Sequence, residues 1–361
     1  MKKVLFLVNH SYTICYFRLE LVERLLEEGY RVVVSSPYGE GIERIVGMGC
    51  VHLDIAIDRH GTNPIADLKL LNIYKKLIRA EKPDVVLTYT IKPNIFGSLA
   101  AKSLGVPHIA NITGMGIAIK KGGILTRILL ILYRYSMRKT NRIFFQNEAN
   151  RQYFQSHHIG INKDALIPGS GVNLLNFPMS DYPDESQKLV FTFIGRVMID
   201  KGILEYAEAA KMVRVKFPDI GFQVIGFIDD DNPQLNELVQ KNCEYIGLVG
   251  DVKPYIKKSS AIVLPSYHEG MANVLLEAAA MGRPVIASKI PGCLETFDEG
   301  ISGLGCEAGN AQSLADTILR FIHLPWESKK QMGIEGRKKM ERQFDRNLVV
   351  EAYINELAKI L

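Results

Sequence analysis

The stretch that decides the fold is AIVLPSYHEGMANVLLEAAAMGRPVIAS, residues 261–288. Its first six residues predict a short buried strand, NVLLEAAAM predicts a helix, and the closing PVIAS predicts a second buried strand. Two apolar strands joined by a helix are typical of a parallel sheet that is covered on both faces. The stretch therefore predicts an α/β fold.

The same alternation extends outward along the whole chain. The other runs that predict strands are 3–9, 31–36, 52–57, 84–90, 107–113, 142–147, 188–196, 222–227 and 243–249. Residues 177–187 contain proline and acids without periodicity and predict a linker, and three helical patterns follow Gly309. We predict two doubly wound domains, residues 1–178 and 179–344, and a C-terminal helix over 345–361. Such sheets bind ligands at the carboxyl ends of their strands.

Length and composition fit a globular protein of two domains. The chain has 361 residues, 47% of them apolar and 23% charged. The first apolar run, Val4 to Val8, is too short for the apolar region of a secretion signal, and no uncharged stretch approaches the roughly 20 residues that span a bilayer. Five cysteines without paired spacing predict reduced thiols and a cytoplasmic location.

Positive charge is concentrated in one part of the chain. Residues 85–147 contain nine lysines and arginines and no acid, although the whole chain carries only +5. This asymmetry indicates an acidic partner for one domain. Nucleic acid is not expected, because no nucleic-acid-binding motif is present.

Within the basic region, ILTRILLILYRYSMRK (124–139) predicts a helix that lies on an anionic membrane surface. Its three arginines fall on one helical stripe flanked by leucine and isoleucine, and two lysines precede it. The basic residues concerned are Lys120, Lys121, Arg127, Arg134 and Arg138. The alternative is an ordinary core helix with a solvated basic edge.

Two loops at predicted strand ends of the second domain carry candidate ligand-binding residues. The first is GRVMIDKG (195–202), which places Arg196 at the strand exit and Lys201 just before a helix. Glycines at both ends, Gly195 and Gly202, let the backbone approach a ligand closely. Two cations suit a diphosphate, because they offset the charge that grows on a departing phosphate. The alternative is that both side chains are simply solvated.

The second loop is HEGMAN (268–273), in which Asn273 is a candidate helix cap. The backbone amides near the helix start then form a ready anion site. Glu277 falls in the second turn, where its carboxylate suits ribose hydroxyls, and Glu269 in the loop suits hydroxyls of a second sugar. The predicted donor-binding residues of this loop and helix are Glu269, Gly270, Met271, Ala272, Asn273, Val274 and Glu277. The alternative is a surface loop followed by an ordinary exposed helix residue.

Together these motifs resemble a known family. The pattern G-R…K-G, followed about seventy residues later by E-G-x-x-x-x-x-x-E-A-x-x-x-G-x-P-V-I, resembles the retaining glycosyltransferases of family four. The resemblance implies the GT-B fold, in which two Rossmann-like domains face each other across a cleft. It implies that Arg196 and Lys201 contact the donor diphosphate, Glu269 the donor sugar and Glu277 the ribose. Arg196, Lys201 and Glu269 are thus the predicted catalytic residues.

The first domain is similar to bacterial transferases that add N-acetylgalactosamine or a related hexose from a UDP-sugar to a polyprenyl-diphosphate-linked glycan. The segments that carry this similarity include NHSYTICYFR, FFQNEAN and YTIKPNIFGSLAAKSLGVPHIANITGMG. The residues that it suggests for the acceptor side or the cleft are His10, Lys92, Thr113 and Gly114. The chain departs from the family in two places: NITGMG replaces a loop in which many members have a histidine, and the first loop lacks paired glycines.

The expected activity is therefore retaining transfer by a peripheral protein on the inner face of the cell membrane. The resemblance implies that the leaving phosphate takes the acceptor proton; the alternative is Glu269 as a covalent nucleophile. Neither a metal nor another cofactor is expected, since Asp229 and Asp231 fit a helix start and no histidine spacing suits a ligand set. Two other functions remain open: a UDP-sugar 2-epimerase and a non-catalytic sugar-nucleotide-binding subunit.

Overall fold

The computed structural model describes residues 1–58, 61, 63–114, 122–229 and 233–361, without the side chains of 233–236. The chain forms two compact units, Met1–Ser170 with Arg346–Leu361, and Gly171–Asp345. Residues 171–178, which the sequence assigned to the first domain, belong to the second unit. This segment packs against the second unit: Val172 donates a backbone hydrogen bond to Phe344 and is buried in a cluster that includes Leu276.

The first unit is built around a parallel sheet with strand order β3-β2-β1-β4-β5-β6-β7. Its strands are β1 Lys3–Leu7, β2 Arg31–Ser36, β3 Val51–Asp54, β4 Val85–Tyr89, β5 His108–Ile112, β6 Arg142–Phe145 and β7 Asp164–Leu166. Its helices are α1 Ser11–Cys15, α2 Leu19–Glu27, α3 Ile42–Gly47, α4 Pro64–Glu81, α5 Ser98–Leu104, α6 Ile124–Ser136, α7 Glu148–Ser156 and the C-terminal helix Arg346–Ile360. A π-helical turn, Pro93–Gly97, precedes α5, and a 3-10 turn, Met137–Lys139, follows α6.

Both faces of the central strands of this sheet are buried, which explains why β1 and β4 consist mainly of apolar residues. Alternate residues of β1 point to opposite cores: Val4 and Phe6 pack with α1, α2 and the C-terminal helix, whereas Leu5 and Leu7 pack with α4 to α7. The C-terminal helix thus supplies part of the first unit's core, although the chain reaches it only after completing the second unit.

The second unit repeats this construction with strand order β10-β9-β8-β11-β12-β13, also parallel. Its strands are β8 Val190–Ile194, β9 Gly221–Ile225, β10 Glu244–Gly247, β11 Ala261–Leu264, β12 Val285–Ser288 and β13 Gly303–Cys306. Its helices are α8 Ile203–Lys216, α9 Pro233–Asn242, α10 Lys253–Lys258, α11 Asn273–Ala280, α12 Ala311–Ile322 and α13 Trp326–Lys339. Shorter turns are the 3-10 segments Ile199–Lys201 and Leu294–Thr296 and the π-helical segment Met340–Phe344.

The two doubly wound sheets confirm the predicted fold class. Every predicted strand overlaps an observed one, and the sequence missed β7 and β13. Strand β7 has only three residues at the sheet edge, and two of the four residues of β13 are glycine, which weakens the strand pattern. In the second unit the strand order reverses between β8 and β11, so the loops that follow these neighbouring strands meet at one edge of the sheet.

Candidate active site

The loops that follow β8 and β11 are in direct backbone contact. Gly202 ends the first loop in a left-handed conformation with φ of 72°, and a Cβ at this position would lie 2.0 Å from the carbonyl oxygen of Pro265. Only glycine therefore permits this approach. The backbone amide of Tyr267 also donates a hydrogen bond to the carbonyl of Asp200, at 2.9 Å. These contacts bring the two predicted ligand-binding loops together.

Lys201 and Glu269 form an ion pair across these loops. The Nζ atom of Lys201 lies 2.5 Å from Oε1 of Glu269, and the hydroxyl of Ser266 donates to the same oxygen at 2.8 Å. The side chains are only 20% and 10% exposed, so water and salt screen this pair less than a surface pair. The sequence predicted that these residues bind different parts of one ligand; the pairing itself was not predicted.

Arg196 and Asp229 form a second, more exposed pair at the ends of β8 and β9. The Nη1 atom of Arg196 lies 2.7 Å from Oδ2 of Asp229, and the side chains are 50% and 40% exposed. Exposed pairs contribute about 0–1 kcal/mol, so this guanidinium can exchange its partner at little cost. Asp231 lies outside the described residues. Within the described ranges, no group of three or more His, Cys, Asp or Glu side chains is placed to hold a metal ion.

Helix α11 begins at Asn273, and its N-cap is Ala272, so the prediction of Asn273 as the cap is wrong by one residue. The amide of Ala272 donates to the carbonyl of Gly292 at 2.8 Å, which holds Ala272 outside the helix. The cap provides no side-chain hydrogen bond. The amides of Leu275 and Leu276 donate to the carbonyl of Ala272, at 3.0 and 3.3 Å, whereas the amides of Asn273 and Val274 precede the first hydrogen bond of the helix. These amides are therefore a suitable anion site. Glu277 lies in the second turn, as predicted, and is partly buried.

Tyr267 and Glu205 are two further site-loop residues that the sequence did not indicate. The Tyr267 hydroxyl donates to Oε1 of Glu205 at 2.6 Å, while Oε2 of Glu205 is buried without a partner. Burial, and then the hydrogen bond to Glu205, raise the pKa of Tyr267 well above its usual range, so the phenol stays neutral. The hydrogen bond between Tyr267 and Glu205 connects the loop that contains Glu269 to the first turn of α8. No short-range pattern links residues 62 positions apart.

The candidate residues of the first unit lie at or near the carboxyl ends of its strands. His10 caps α1, where its Nδ1 accepts a hydrogen bond from the amide of Tyr12 at 3.1 Å. Lys92 is paired with Asp67, with 2.8 Å between Nζ and Oδ1. Thr113 and Gly114 directly follow β5 and are partly exposed. His10 thus has a structural contact, and the acceptor roles of all four residues stay predictions.

Helix α6 confirms the helix predicted in the basic region but ends at Ser136, so Arg138 lies in the 3-10 turn that follows and not on the helix. Met137 closes the helix, and Thr140 is already extended as the chain approaches β6. The three arginines are exposed, together with an apolar stripe consisting of Ile124, Leu125, Ile128, Ile131 and Tyr135. Lys120 and Lys121 lie outside the described residues. No helix among those described combines the length and apolar composition needed to cross a membrane.

Comparisons with known proteins cover both units. Residues 188–323 match the family model for glycosyl transferases group 1, and residues 3–147 match the model for glycosyl transferase 4-like proteins. The chain is 25% identical to the N,N'-diacetylbacillosaminyl-diphospho-undecaprenol alpha-1,3-N-acetylgalactosaminyltransferase of Campylobacter jejuni, over 99% of this chain and 98% of that one. It is 29% identical to the UDP-Gal:alpha-D-GlcNAc-diphosphoundecaprenol alpha-1,3-galactosyltransferase of Escherichia coli, over 71% and 70% of the two chains.

A solved structure shows the same fold. The Anabaena protein HepE, crystallised with UDP and glucose, superimposes with a TM-score of 0.78 at 16% identity, and the match covers 100% of both chains. This similarity extends over the residues of both units and supports the fold assigned to each of them.

Proposed function

The chain belongs to the group 1 glycosyltransferases and has the GT-B fold, and from this premise we propose that it transfers a hexose or N-acetylhexosamine from a UDP-sugar to a glycan carried on a polyprenyl diphosphate. The Campylobacter and Escherichia relatives are named for acceptors linked to diphospho-undecaprenol, which supports the acceptor class. The UDP and glucose in the Anabaena structure support the donor class.

The observation that carries the proposal is the mostly buried Lys201–Glu269 pair at the switch point of the second sheet. A diphosphate that binds here takes Lys201 from Glu269, and the freed carboxylate then accepts hydrogen bonds from the hydroxyls of the donor sugar. Arg196 exchanges Asp229 for the same diphosphate, because its present pair is exposed and weak. The first-turn amides of α11 donate further hydrogen bonds to the diphosphate, and Glu277 accepts hydrogen bonds from the ribose hydroxyls.

In the proposed reaction the sugar retains its anomeric configuration. The bond between the sugar C1 and the diphosphate oxygen breaks, the acceptor oxygen bonds to C1 on the same face, and the acceptor proton moves to the departing phosphate oxygen. Lys201 and Arg196 stabilise the charge that develops on this oxygen, and the loops position the reactants. Because two cations and the helix amides already offset this charge, we propose that no metal ion participates.

We also propose that the protein works as a peripheral protein on the inner face of the cell membrane. The support is the outer face of α6, where the exposed Arg127 and Arg134 lie beside the exposed apolar stripe, together with the exposed Arg138 in the turn that follows. Basic residues near an anionic surface contribute about 1 kcal/mol each, and the apolar side chains can enter the headgroup layer. Such a surface would place the enzyme beside an acceptor that is anchored in the membrane by its lipid.

A transfer assay with radiolabelled donors tests the proposal. The purified chain is incubated with a panel of UDP-hexoses and UDP-N-acetylhexosamines and with undecaprenyl-diphosphate N-acetylglucosamine in mixed vesicles. We expect label in the lipid fraction, stoichiometric release of UDP, an unchanged anomeric configuration by NMR and no loss of rate with EDTA. Isomerised donor without transfer would indicate an epimerase, and donor binding without turnover a non-catalytic subunit; either result would contradict the proposal.

A further inference from the structure

Helix α1 with its C-cap, which follows β1, and the loop after β2 present aromatic side chains near the carboxyl edge of the first sheet. Tyr12, Tyr16 and Tyr38 are 43%, 39% and 61% exposed, and we call these three side chains the aromatic platform. Exposed clusters of large apolar groups frequently mark binding sites on globular proteins. The platform also occupies the edge at which doubly wound sheets bind ligands.

The rings of Tyr12 and Tyr16 are fixed in place. Their centroids lie 4.0 Å apart with an interplanar angle of 22°, and Phe17 packs edge-on against Tyr12 at 5.2 Å. The hydroxyl of Tyr16 donates to Oε1 of Glu40 at 2.7 Å, and this hydrogen bond is the main reason that the pKa of Tyr16 is raised to about 12. The platform is therefore rigid and uncharged at its rings, although a carboxylate adjoins it.

The loop between β2 and α3 adjoins this tyrosine pair, because its Glu40 accepts the hydrogen bond from Tyr16. Gly41 has a φ of 84°, and a Cβ there would lie 2.5 Å from the Cβ of Cys15, so this loop packs closely on α1. The Tyr38 hydroxyl donates to Glu43 at 3.2 Å, and its amide donates to Asp54 at 2.9 Å. Two separate segments thus present aromatic rings bordered by carboxylates.

We propose that the aromatic platform binds an uncharged pyranose ring of the acceptor glycan, an inference that rests on the proposed function. A pyranose has an apolar face that can cover an aromatic ring and a rim of hydroxyls that can donate to carboxylates. The bordering acids, Glu40, Glu43 and Asp54, provide such acceptors. Apolar walls with a few placed polar groups are the usual composition of small-molecule sites. The same acids repel anionic headgroups and the acceptor's own diphosphate, so a neutral sugar is the ligand that fits.

The experiment compares leucine and phenylalanine variants of one ring. Tyr12→Leu removes the aromatic face, Tyr12→Phe keeps it, and Tyr16→Leu tests the neighbouring ring. The measurements are the KM for undecaprenyl-diphosphate N-acetylglucosamine, the Kd for UDP, and the binding of soluble N,N'-diacetylchitobiose by saturation-transfer NMR. We expect each leucine change to raise the acceptor KM and weaken disaccharide binding about 3- to 10-fold, the effect of one lost aromatic contact. Tyr12→Phe should stay near the wild type, and the UDP Kd should not change.

The possible outcomes separate this proposal from the transferase proposal. If the wild type transfers no sugar, the transferase proposal fails, but disaccharide binding that is lost in Tyr12→Leu and kept in Tyr12→Phe still supports the platform. If neither the acceptor KM nor disaccharide binding changes in the leucine variants, the platform proposal is wrong. In that case, a loss of co-sedimentation with phosphatidylcholine vesicles by the same variants would show that the rings contact lipid instead. Circular dichroism confirms that each variant is folded.

Discussion

The strand ends of the two units differ in what they offer a ligand, although both sheets have the same doubly wound construction. In the second unit, Lys201 and Arg196 are each held by an acid that a phosphate can replace. In the first unit, Tyr16 and Tyr38 donate hydrogen bonds to carboxylates, and both residues remain exposed. The side chains that follow the strands, and not the sheet itself, thus decide which part of a glycosyl transfer each unit can serve.

The difference also concerns how firmly each side chain is held. The Lys201–Glu269 pair is mostly buried, so its separation requires a ligand that satisfies both charges at once. A nucleotide sugar does this, because its diphosphate is anionic and its hexose has hydroxyl donors. The platform needs no such exchange, since Tyr12 and Tyr16 remain 43% and 39% exposed although one ring stacks on the other. We therefore expect mutations to have larger effects in the second unit.

The largest expected effect follows from Lys201→Ala. Losing one preorganised charge partner of the transition state lowers turnover by about 10²- to 10³-fold. The measurement is UDP release by the purified variant under saturating donor and acceptor. Arg196→Ala should also lower turnover within this range, whereas Lys211→Ala, an exposed lysine on α8, is the matched control. Wild-type turnover in folded Lys201→Ala would remove the basis for the diphosphate assignment.

The two units should also differ in their response to acid, because His108 is buried in the first sheet. Its Nε2 lies 3.0 Å from the hydroxyl of Thr140, and burial lowers the pKa of His108 to about 4. The unfolded chain, with the ordinary value near 6.5, takes up the proton first as the pH falls. The protonation of His108 therefore leaves the free energy of unfolding unchanged above about pH 6.5. It lowers this free energy between about pH 6.5 and 4, by about 3 kcal/mol in total.

Urea unfolding followed by circular dichroism at pH 7.5, 6.0 and 5.0 measures this loss. His108→Gln should reduce the dependence of the unfolding free energy on pH, whatever the variant's stability at neutral pH. The only tryptophan, Trp326, lies in the second unit, so its fluorescence reports the unfolding of that unit separately. An identical pH dependence in wild type and variant would show that His108 does not cause the acid lability.

How much the sequence predicts depends on the distance along the chain over which a feature is formed. The strand exits that carry Arg196, Lys201 and Glu269 were predicted, because apolar strands and the turns after them are local patterns. The Lys201–Glu269 and Tyr267–Glu205 pairs were not predicted, since each joins residues more than sixty positions apart. The N-cap of α11 was misplaced by one residue, at Asn273, for the same reason, because the carbonyl that holds Ala272 belongs to Gly292.

In the first unit, the sequence predicts even less of the proposed binding surface. Tyr12 and Tyr16 come from α1 and its C-cap, whereas Tyr38 comes from the β2–α3 loop, which packs on α1 where Gly41 meets Cys15. Tyrosine is intermediate between core and surface residues in its burial, so no signal in the sequence distinguished these three. The basic helix, in contrast, was predicted because its charges and apolar residues repeat within a single segment.

The outer face of α6 tests whether the first unit, and not the second, binds an anionic membrane. Replacing its two exposed arginines and the exposed arginine of the following turn by glutamine should cost about 3 kcal/mol of affinity for anionic vesicles, about 1 kcal/mol for each charge. Co-sedimentation with phosphatidylglycerol-containing and phosphatidylcholine vesicles measures the loss, which salt should mimic. The variant changes Arg127, Arg134 and Arg138, and a control variant with the same charge change in the second unit replaces Lys211, Lys216 and Lys258. Equal loss in both variants, or equal wild-type binding to neutral vesicles, would contradict a docking face on α6.

The smallest expected effect among these variants tests whether Glu277 of the second unit binds the ribose of the donor. Glu277 lies in the second turn of α11, partly buried, where we propose that its carboxylate accepts the ribose hydroxyls of the donor. A hydrogen bond to a charged group contributes about 1.5–3 kcal/mol, so Glu277→Gln should weaken UDP binding about 10- to 100-fold. Calorimetry with UDP measures this directly, and Glu208→Gln, an exposed acid on α8, is the control. The change should appear in UDP affinity, while the acceptor KM stays constant, because the acceptor contacts are proposed for the other unit. If UDP affinity is unchanged, Glu277 has no role in binding the ribose, and the nucleotide must be held by the diphosphate contacts alone.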